Sequence, residues 1–221
     1  MDLLSSGYLE SSADPLKEPE MGIVVVDLTV SLDGFIAGDG DGPDLPLGRG
    51  GDRLFSWMTA GPESNRIEHR LAPPDASKVV VDEWMRGAGA IISGRRTFDI
   101  ADGWKGGHPI DAPIFVVTHE APTHGQWSPR VSFVTRGVDR ALELAQEAAG
   151  GLKVSVSGAS IAQQLLRAGK LDEIQVSVVP LLLGAGVRLF DHLGSDPITL
   201  EQTRVIESDG VTHLRYRVVR N

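Results

Sequence analysis

The stretch Ile23-Val24-Val25-Val26-Asp27-Leu28-Thr29-Val30 is a nearly continuous apolar run, mostly β-branched, in which only Asp27 and Thr29 are polar. Such a run fits a strand covered on both faces, as in a parallel sheet. Shorter apolar runs recur at 88–93, 112–118, 131–134, 153–157 and 171–179, each predicting a strand, with Pro113 marking an edge. Between them lie helical spacings: short helices over 52–60 and 77–86, one starting at Gly94, one over 138–149 closed by Gly150-Gly151, and one over 160–168 closed by Gly169. The runs 200–206 and 211–219 flank Ser208-Asp209-Gly210 and predict a terminal β-hairpin. Strands alternating with helices imply an α/β fold, a mostly parallel sheet covered on both faces, to which the hairpin adds antiparallel strands. No internal repeat and no second core is evident, so residues 21–221 read as one domain.

Two segments depart from this alternation. Residues 1–20 have no sustained period and carry Asp2, Glu10, Asp14, Glu18 and Glu20 against Lys17, which predicts a flexible acidic tail, or alternatively a strap over a partner subunit. Residues 33–51 hold Gly34, Gly38, Gly40, Gly42, Gly48, Gly50 and Gly51 and read as a lid over a site.

Composition narrows the function. The chain has 221 residues, 41% apolar and 23% charged, with no cysteine, which removes disulfides, thiolate catalysis and cysteine-ligated metals. A net charge of −9 and a pI near 5.1 disfavour a general nucleic-acid binder. No apolar stretch approaches the ~18–20 residues of a membrane helix. The six histidines are scattered, so no metal site is expected. A cytoplasmic enzyme or small-molecule binder is what remains.

In a parallel sheet, ligands bind at the carboxyl ends of strands, where helix amino termini offer free N–H groups to phosphates. Two junctions have that form. Ser93-Gly94-Arg95-Arg96-Thr97 places two arginines in a first helical turn, where they oppose the dipole; a bound polyanion explains them, and so does plain solvation. Ser157-Gly158-Ala159-Ser160-Ile161 is small enough for backbone to approach a phosphate, or is a tight turn capped by Ser160. Thr118 and His119 end a strand within reach of a ribose or 2′-phosphate, or are simply exposed. Asp27, Asp33 and Asp52 are the acids near the presumed cleft, and a carboxylate inside an apolar strand, as at Asp27, is costly unless paired or used.

Taken together, Ser31-Leu32-Asp33-Gly34-Phe35-Ile36-Ala37, Gly94-Arg95-Arg96-Thr97-Phe98, Val117-Thr118-His119, Ser157-Gly158-Ala159-Ser160, Leu171-Asp172-Glu173-Ile174 and the run from Pro180 to Phe190 resemble the dihydrofolate-reductase-like fold. The resemblance is closest to the reductase domain of bacterial riboflavin biosynthesis and its stand-alone relatives. It implies a three-layer α/β/α domain, NADPH as hydride donor, and a homodimer. It places Gly94, Arg95, Arg96 and Thr97 at the adenine-side phosphates, Thr118 and His119 near the 2′-phosphate, Ser157, Gly158, Ala159, Ser160 and Ile161 at the pyrophosphate, and the backbone of Thr29 and Ile36 at the nicotinamide. Phe35 stands where riboflavin reductases commonly have Arg, and these 221 residues have neither the length nor the cysteines expected of their zinc deaminase domain.

The expected activity is hydride transfer to a C=N or C=O of a pterin-like or (phospho)ribosylaminopyrimidine-like small molecule. Asp27 is the first choice of proton donor or water-orienter, then Asp33 and Asp52; Phe35, Trp57 and Leu181 are expected as the apolar substrate wall. A non-catalytic nucleotide-binding protein keeping the fold is the rival expectation.

Overall fold

The run that opens the apolar pattern forms β1 (Val24–Ser31), and its neighbours in space are β6 (Lys153–Ser157) and β7 (Glu173–Val179), both parallel to it. The structure, a computed structural model, describes residues 21–60 and 71–220; the acidic segment 1–20 lies outside the described residues. The other strands are β2 (Phe35–Gly38), β3 (Ala88–Gly94), β4 (Ile114–Val117), β5 (Val131–Val134), β8 (Gly186–Arg188), β9 (Leu200–Ser208) and β10 (Val211–Val218). Eight of them make one sheet in the order β5-β4-β3-β6-β1-β7-β10-β9. Six strands, β5 through β7 in that order, run parallel; β10 returns antiparallel beside β7 and carries β9. This is the mostly parallel α/β sheet with a terminal hairpin that the alternation of patterns predicts.

Among the described residues four α-helices cross between strands: α1 (Asp75–Arg86), α2 (Arg95–Ile100), α3 (Gly137–Ala149) and α4 (Ala159–Arg167). Because side chains alternate along a strand, each strand divides its residues between two layers. Val24, Val26, Ala90, Ile92, Val154, Val156, Ile174 and Val176 face α3 and α4, and pack with Leu142, Ala145, Ile161 and Leu165 into the main core. The intervening residues face α1, where two smaller apolar clusters form. One is built on Ile91, Phe98, Ile110 and Ile114, the other on Leu54, Trp57, Val81, Val179 and Val211.

Several boundaries move for local reasons. β4 starts at Ile114 rather than 112 because Pro113 has no N–H for the ladder. β7 starts at Glu173 rather than 171 because the Asp172 carboxylate itself accepts the Val24 N–H, at 2.8 Å. The expected helix over 52–60 is a 3₁₀ helix, Gly51–Thr59.

The glycine-rich stretch 33–51 is built rather than loose. β2 pairs antiparallel with β8 in a two-stranded ribbon, and Gly38 N–H donates to the Leu47 carbonyl at 2.8 Å. A Cβ on Gly48 would run into the Gly38 carbonyl, and one on Gly186 into that of Ala37. Close backbone crossing explains Gly38 and Gly48, and a left-handed backbone explains Gly34, Gly40 and Gly50.

Candidate active site

Between the two apolar clusters on the α1 side lies a cavity of about 240 Å3. Phe55, Trp57, Met58, Val80, Val81, Trp84, Ile91 and Ile110 wall it, and Asp27, Thr29, Ser155, Ser157 and Ser177 form its sheet floor. The floor is polar because it is built from alternate residues of three adjacent parallel strands. The same parity that buries Val26 and Val156 in the main core turns Asp27, Ser155 and Ser157 this way.

Asp27 is held by a chain of side chains running across the sheet. Gln175 Nε2 donates to Asp27 Oδ2 at 2.8 Å, and Gln175 Oε1 accepts from Arg204 at 3.0 Å. Arg204 forks onto Glu83 at 2.7 and 2.6 Å, while Arg215 forks onto Glu173 at 2.8 and 2.5 Å. Arg204 and Arg215 stand directly opposite each other on β9 and β10. Like charges so placed repel, and the two glutamates offset them. Arg204 holds the Glu83 carboxyl below its usual range.

Asp27 keeps contact with the cavity but is enclosed by protein, and loss of hydration pushes its pKa up from 3.8 to about 7. Lys153, Arg215 and Arg204 pull against that rise without cancelling it, and Glu83 adds to it. One strand position further on, His213 is buried with Nε2 2.9 Å from Ser77 Oγ and Nδ1 2.8 Å from Ser177 Oγ. Burial, then Arg204, lowers its pKa to about 4, so it is neutral. The Trp57 ring stands edge-on to it with centroids 5.0 Å apart, and Trp57 Nε1 is buried without a hydrogen-bond partner among the described residues. His108, also on the cavity wall, is kept neutral by burial and accepts the Ile110 N–H on Nδ1 at 3.0 Å.

The two strand-to-helix junctions meet at the carboxyl ends of β3 and β6. A Cβ on Gly158, which has φ 101°, would lie 2.7 Å from Thr97 Oγ1, and one on Gly94 would lie 3.4 Å from Ser160 Oγ. Among the described residues no side chain caps the amino end of α4, and Ser93 Oγ beside the junction is buried without a partner. Bare backbone, an uncapped helix start and an orphaned hydroxyl fit a bound pyrophosphate. Thr118 adjoins through Glu120, whose carbonyl accepts from both Thr118 Oγ1 (2.8 Å) and Arg95 (3.2 Å), and His119 is exposed beside it.

Other expected residues sit elsewhere. Asp33 does not line the cavity: Ser31 Oγ donates to it at 2.6 Å, and the Gly184 and Leu183 amides at 2.7 and 3.1 Å. The Ser31 hydroxyl first, then those amides, brings its pKa down to about 2, so it ties β1 to the loop before β8 and is no proton donor. Asp52 is exposed in the first turn of the 3₁₀ helix, outside the cavity lining. Phe35 is buried under the Arg188 guanidinium, 4.3 Å from its centroid; Leu181 packs on the Trp57 cluster; Ile36 packs on the main core; none of the three lines the cavity. Of the expected wall only Trp57 is there. Arg95 and Arg96 need no external anion to explain them, since Arg95 bonds Asp99 and Arg96 grips Asp41 with both Nε (2.9 Å) and NH2 (2.5 Å).

The floor residue Ser177 and the polar residues around Asp27 and beyond it on the same face, Gln175, His213, Arg215, Arg204 and Glu83, were not singled out from sequence. Their signal was the alternation itself: Gln175-Ser177 and His213-Arg215 repeat the two-residue polar period of Asp27-Thr29-Ser31.

The sheet order, with helices on both faces and the open cavity at the strand ends, defines a dihydrofolate-reductase-like α/β protein. The chain belongs to the RibD C-terminal domain family, whose model matches residues 23–214. A solved putative riboflavin biosynthesis protein from Shewanella sp. PV-4 is similar at 24% identity and TM-score 0.64, covering 90% of this chain and 99% of that one. A diaminohydroxyphosphoribosylaminopyrimidine deaminase/5-amino-6-(5-phosphoribosylamino)uracil reductase from Thermotoga maritima matches at 17% identity and TM-score 0.58, over 90% of this chain and 57% of that one. A pyrimidine reductase-like protein from Corynebacterium diphtheriae matches at 16% and 0.57, over 96% and 97%. No curated protein matches. Family membership supports a reductase-like enzyme related to riboflavin biosynthesis. Among the described residues no helix is long and apolar enough to cross a membrane, and no cluster suited to a metal ion occurs.

Proposed function

We propose that the chain is an NADPH-dependent reductase acting on a C=N or C=O bond of a planar heterocycle of the pterin or ribosylaminopyrimidine kind. The observation that carries this reading is Asp27, an acid with a pKa near 7, on the floor of an apolar, aromatic-walled cavity beside the glycine junction of β6 and α4. Bound NADPH supplies a hydride. Gly158, Ala159, Ser160 and Ile161 hold its pyrophosphate through backbone N–H groups at the start of α4, with Gly94 and Thr97 on the other side of the junction. Thr29 and Ser157 bring the floor of the cavity up to that junction. Trp57 and Trp84 wall the space in which a flat ring fits, which excludes water and fixes the ring over the floor. Asp27, half protonated near neutral pH, gives a proton to the nitrogen or oxygen that gains charge. Arg95 and Arg96 reach a phosphate only by releasing Asp99 and Asp41.

Quenching of tryptophan fluorescence by NADPH and by NADH tests the cofactor half of the proposal. Saturable NADPH binding that is lost in Gly158→Val is the expected result, because a side chain there enters the cradle against Thr97. Absence of binding at millimolar cofactor overturns it.

A further inference from the structure

Asp27 borders two voids, not one. Further along the strands, past Thr29, Ser157 and Ser177, lies the apolar cavity. On the opposite side, towards the strand starts at Val25 and Lys153, is a crevice of about 190 Å3 lined by Glu83, Gly87, Lys153, Gln175 and Arg215 as well as Asp27. The two voids differ in chemistry. The cavity is walled mainly by aromatic and aliphatic side chains, while the crevice is lined mainly by charged and amide groups. Partly exposed Glu83 and Arg215 stand at its solvent side. Lys153 is fixed inside it by donating from Nζ to the Glu83 carbonyl at 2.9 Å.

We infer that this crevice is the route by which Asp27 exchanges its proton with solvent while the apolar cavity is filled, with Lys153 as the residue that positions the relay. The inference rests on the reductase reading above. In the reduction, the O–H bond of the Asp27 carboxyl breaks as an N–H or O–H bond forms on the substrate, leaving the carboxylate. A ligand stack in the cavity then closes that side to water. A crevice water carries one solvent proton back to the carboxylate, so each turnover consumes one hydride and one proton. Lys153 favours the carboxylate at the moment it forms and holds the water chain against Glu83. The charges acting on Asp27 come from four elements: Lys153 on β6, Glu83 on α1, Arg215 on β10 and Arg204 on β9.

Asp27 offers a direct readout, the carboxyl resonance of the full chain labelled with 13C-aspartate and assigned by its loss in Asp27→Asn. In wild type, one resonance moves with pH through a midpoint near 7, with or without NADP+. In Gly87→Leu the crevice is filled, because even a Cβ at that ordinary helical φ of −94° lies 3.2 Å from Lys153 Cε. With NADP+ bound, that variant is expected to show separate protonated and ionised peaks, reflecting exchange at least about tenfold slower. In Lys153→Met without ligand, the midpoint rises by about one pH unit, as expected for loss of a nearby opposite charge. Its resonance also broadens, and Lys153→Arg restores both. A single averaged resonance in NADP+-bound Gly87→Leu overturns the route. An unchanged midpoint and width in Lys153→Met overturns it independently, also if Gly87→Leu does not fold. Failure of NADP+ to bind sinks the reductase reading, and the Lys153 series, which needs no ligand, still decides on the crevice.

Discussion

On the α3–α4 side of the sheet, Val24, Val26, Ile92, Val154 and Val156 meet Leu142, Ile161 and Leu165 in an apolar contact. One residue along each strand, on the α1 side, Asp27, Gln175, Arg215 and Arg204 stand in a row across four strands. The same backbone thus carries two unlike surfaces. The first obeys the ordinary logic of burial, with each fully buried aliphatic side chain contributing ~1.5–3 kcal/mol by leaving water. The second pays for its position in desolvation: an acid near pKa 7, a neutral buried histidine and two facing arginines are held by Gln175, by the Ser77 and Ser177 hydroxyls and by Glu83 and Glu173. Stability is concentrated on one face and chemistry on the other, and variants on each face are expected to move different observables.

Catalysis gives the largest separation. Asp27→Asn keeps an acceptor for Gln175 but removes the titratable proton, so turnover is expected to fall by ~10²–10⁴, the usual worth of a positioned acid. NADPH affinity, read by tryptophan quenching, stays within about threefold. Equal loss of both moves Asp27 from the chemistry to the folding of the site. On the opposite face, Leu165→Ala removes a side chain with 0% exposure and is expected to cost ~2–5 kcal/mol in denaturant unfolding, with turnover per folded molecule unchanged.

The polar face also carries the pH dependence of stability, and its two groups pull in opposite directions. Asp27 has a folded pKa of about 7 against an ordinary 3.8, so the folded state holds the extra proton in between. Stability from this group is therefore present below pH ~4 and lost as pH rises to ~7, by at most ~4 kcal/mol. Asp27→Asn is expected to be more stable than wild type at pH 8 and nearly equal to it at pH 4, as thermal unfolding at the two values reports. His213 has a folded pKa of about 4 against 6.5, so here the unfolded chain binds the extra proton. Its contribution is present above pH ~6.5 and lost as pH falls towards ~4. His213→Gln, which can still bond Ser77 and Ser177, is expected to flatten the acid limb of the curve and leave the limb above pH 7 alone. Were both variants to give the wild-type curve displaced by a constant, neither group would be perturbed as the structure has it.

The apolar face was the legible one. The largely apolar run at 23–30 and the alternating Val154 and Val156 led directly to paired central strands, and Gly150 and Gly169 to helix ends, because apolar period and left-handed caps are local signals. The polar face was legible in one residue. Asp27 stood out as a charge within an apolar strand, but its partners come from residues 56 to 188 positions away, and strand order is what brings Glu83, Gln175, Arg204 and Arg215 together. The ribbon of β2 and β8 was hidden for the same reason. Its two strands are about 150 residues apart, and the glycines that allow them to cross looked like those of a mobile loop. Asp33 misled because a loop acid capped by amides from residue 183 onward is indistinguishable in sequence from a free one.

The smallest expected effect concerns the arginines at the β3–α2 junction. Placed in a first helical turn, Arg95 and Arg96 oppose the helix dipole, but each has a carboxylate within the chain, Asp99 at 2.8 Å and Asp41 at 2.5 Å. The Arg95–Asp99 pair is exposed on both sides and four residues apart, so Arg95→Ala is expected to change unfolding free energy by only ~0.3–0.5 kcal/mol. Arg96→Ala releases Asp41, whose side chain is only 9% exposed, and leaves a carboxylate with less water than an ordinary surface acid. Its cost is therefore expected to exceed that of Arg95→Ala, and Asp41→Asn introduced with it is expected to recover the difference. If the single and double variants are equally stable, Asp41 is as well hydrated as any surface group. NADPH binding to Asp41→Asn alone then separates structure from recognition. A cofactor phosphate that displaces Asp41 binds Asp41→Asn more tightly than wild type, whereas a purely structural pair leaves the affinity of that variant unchanged.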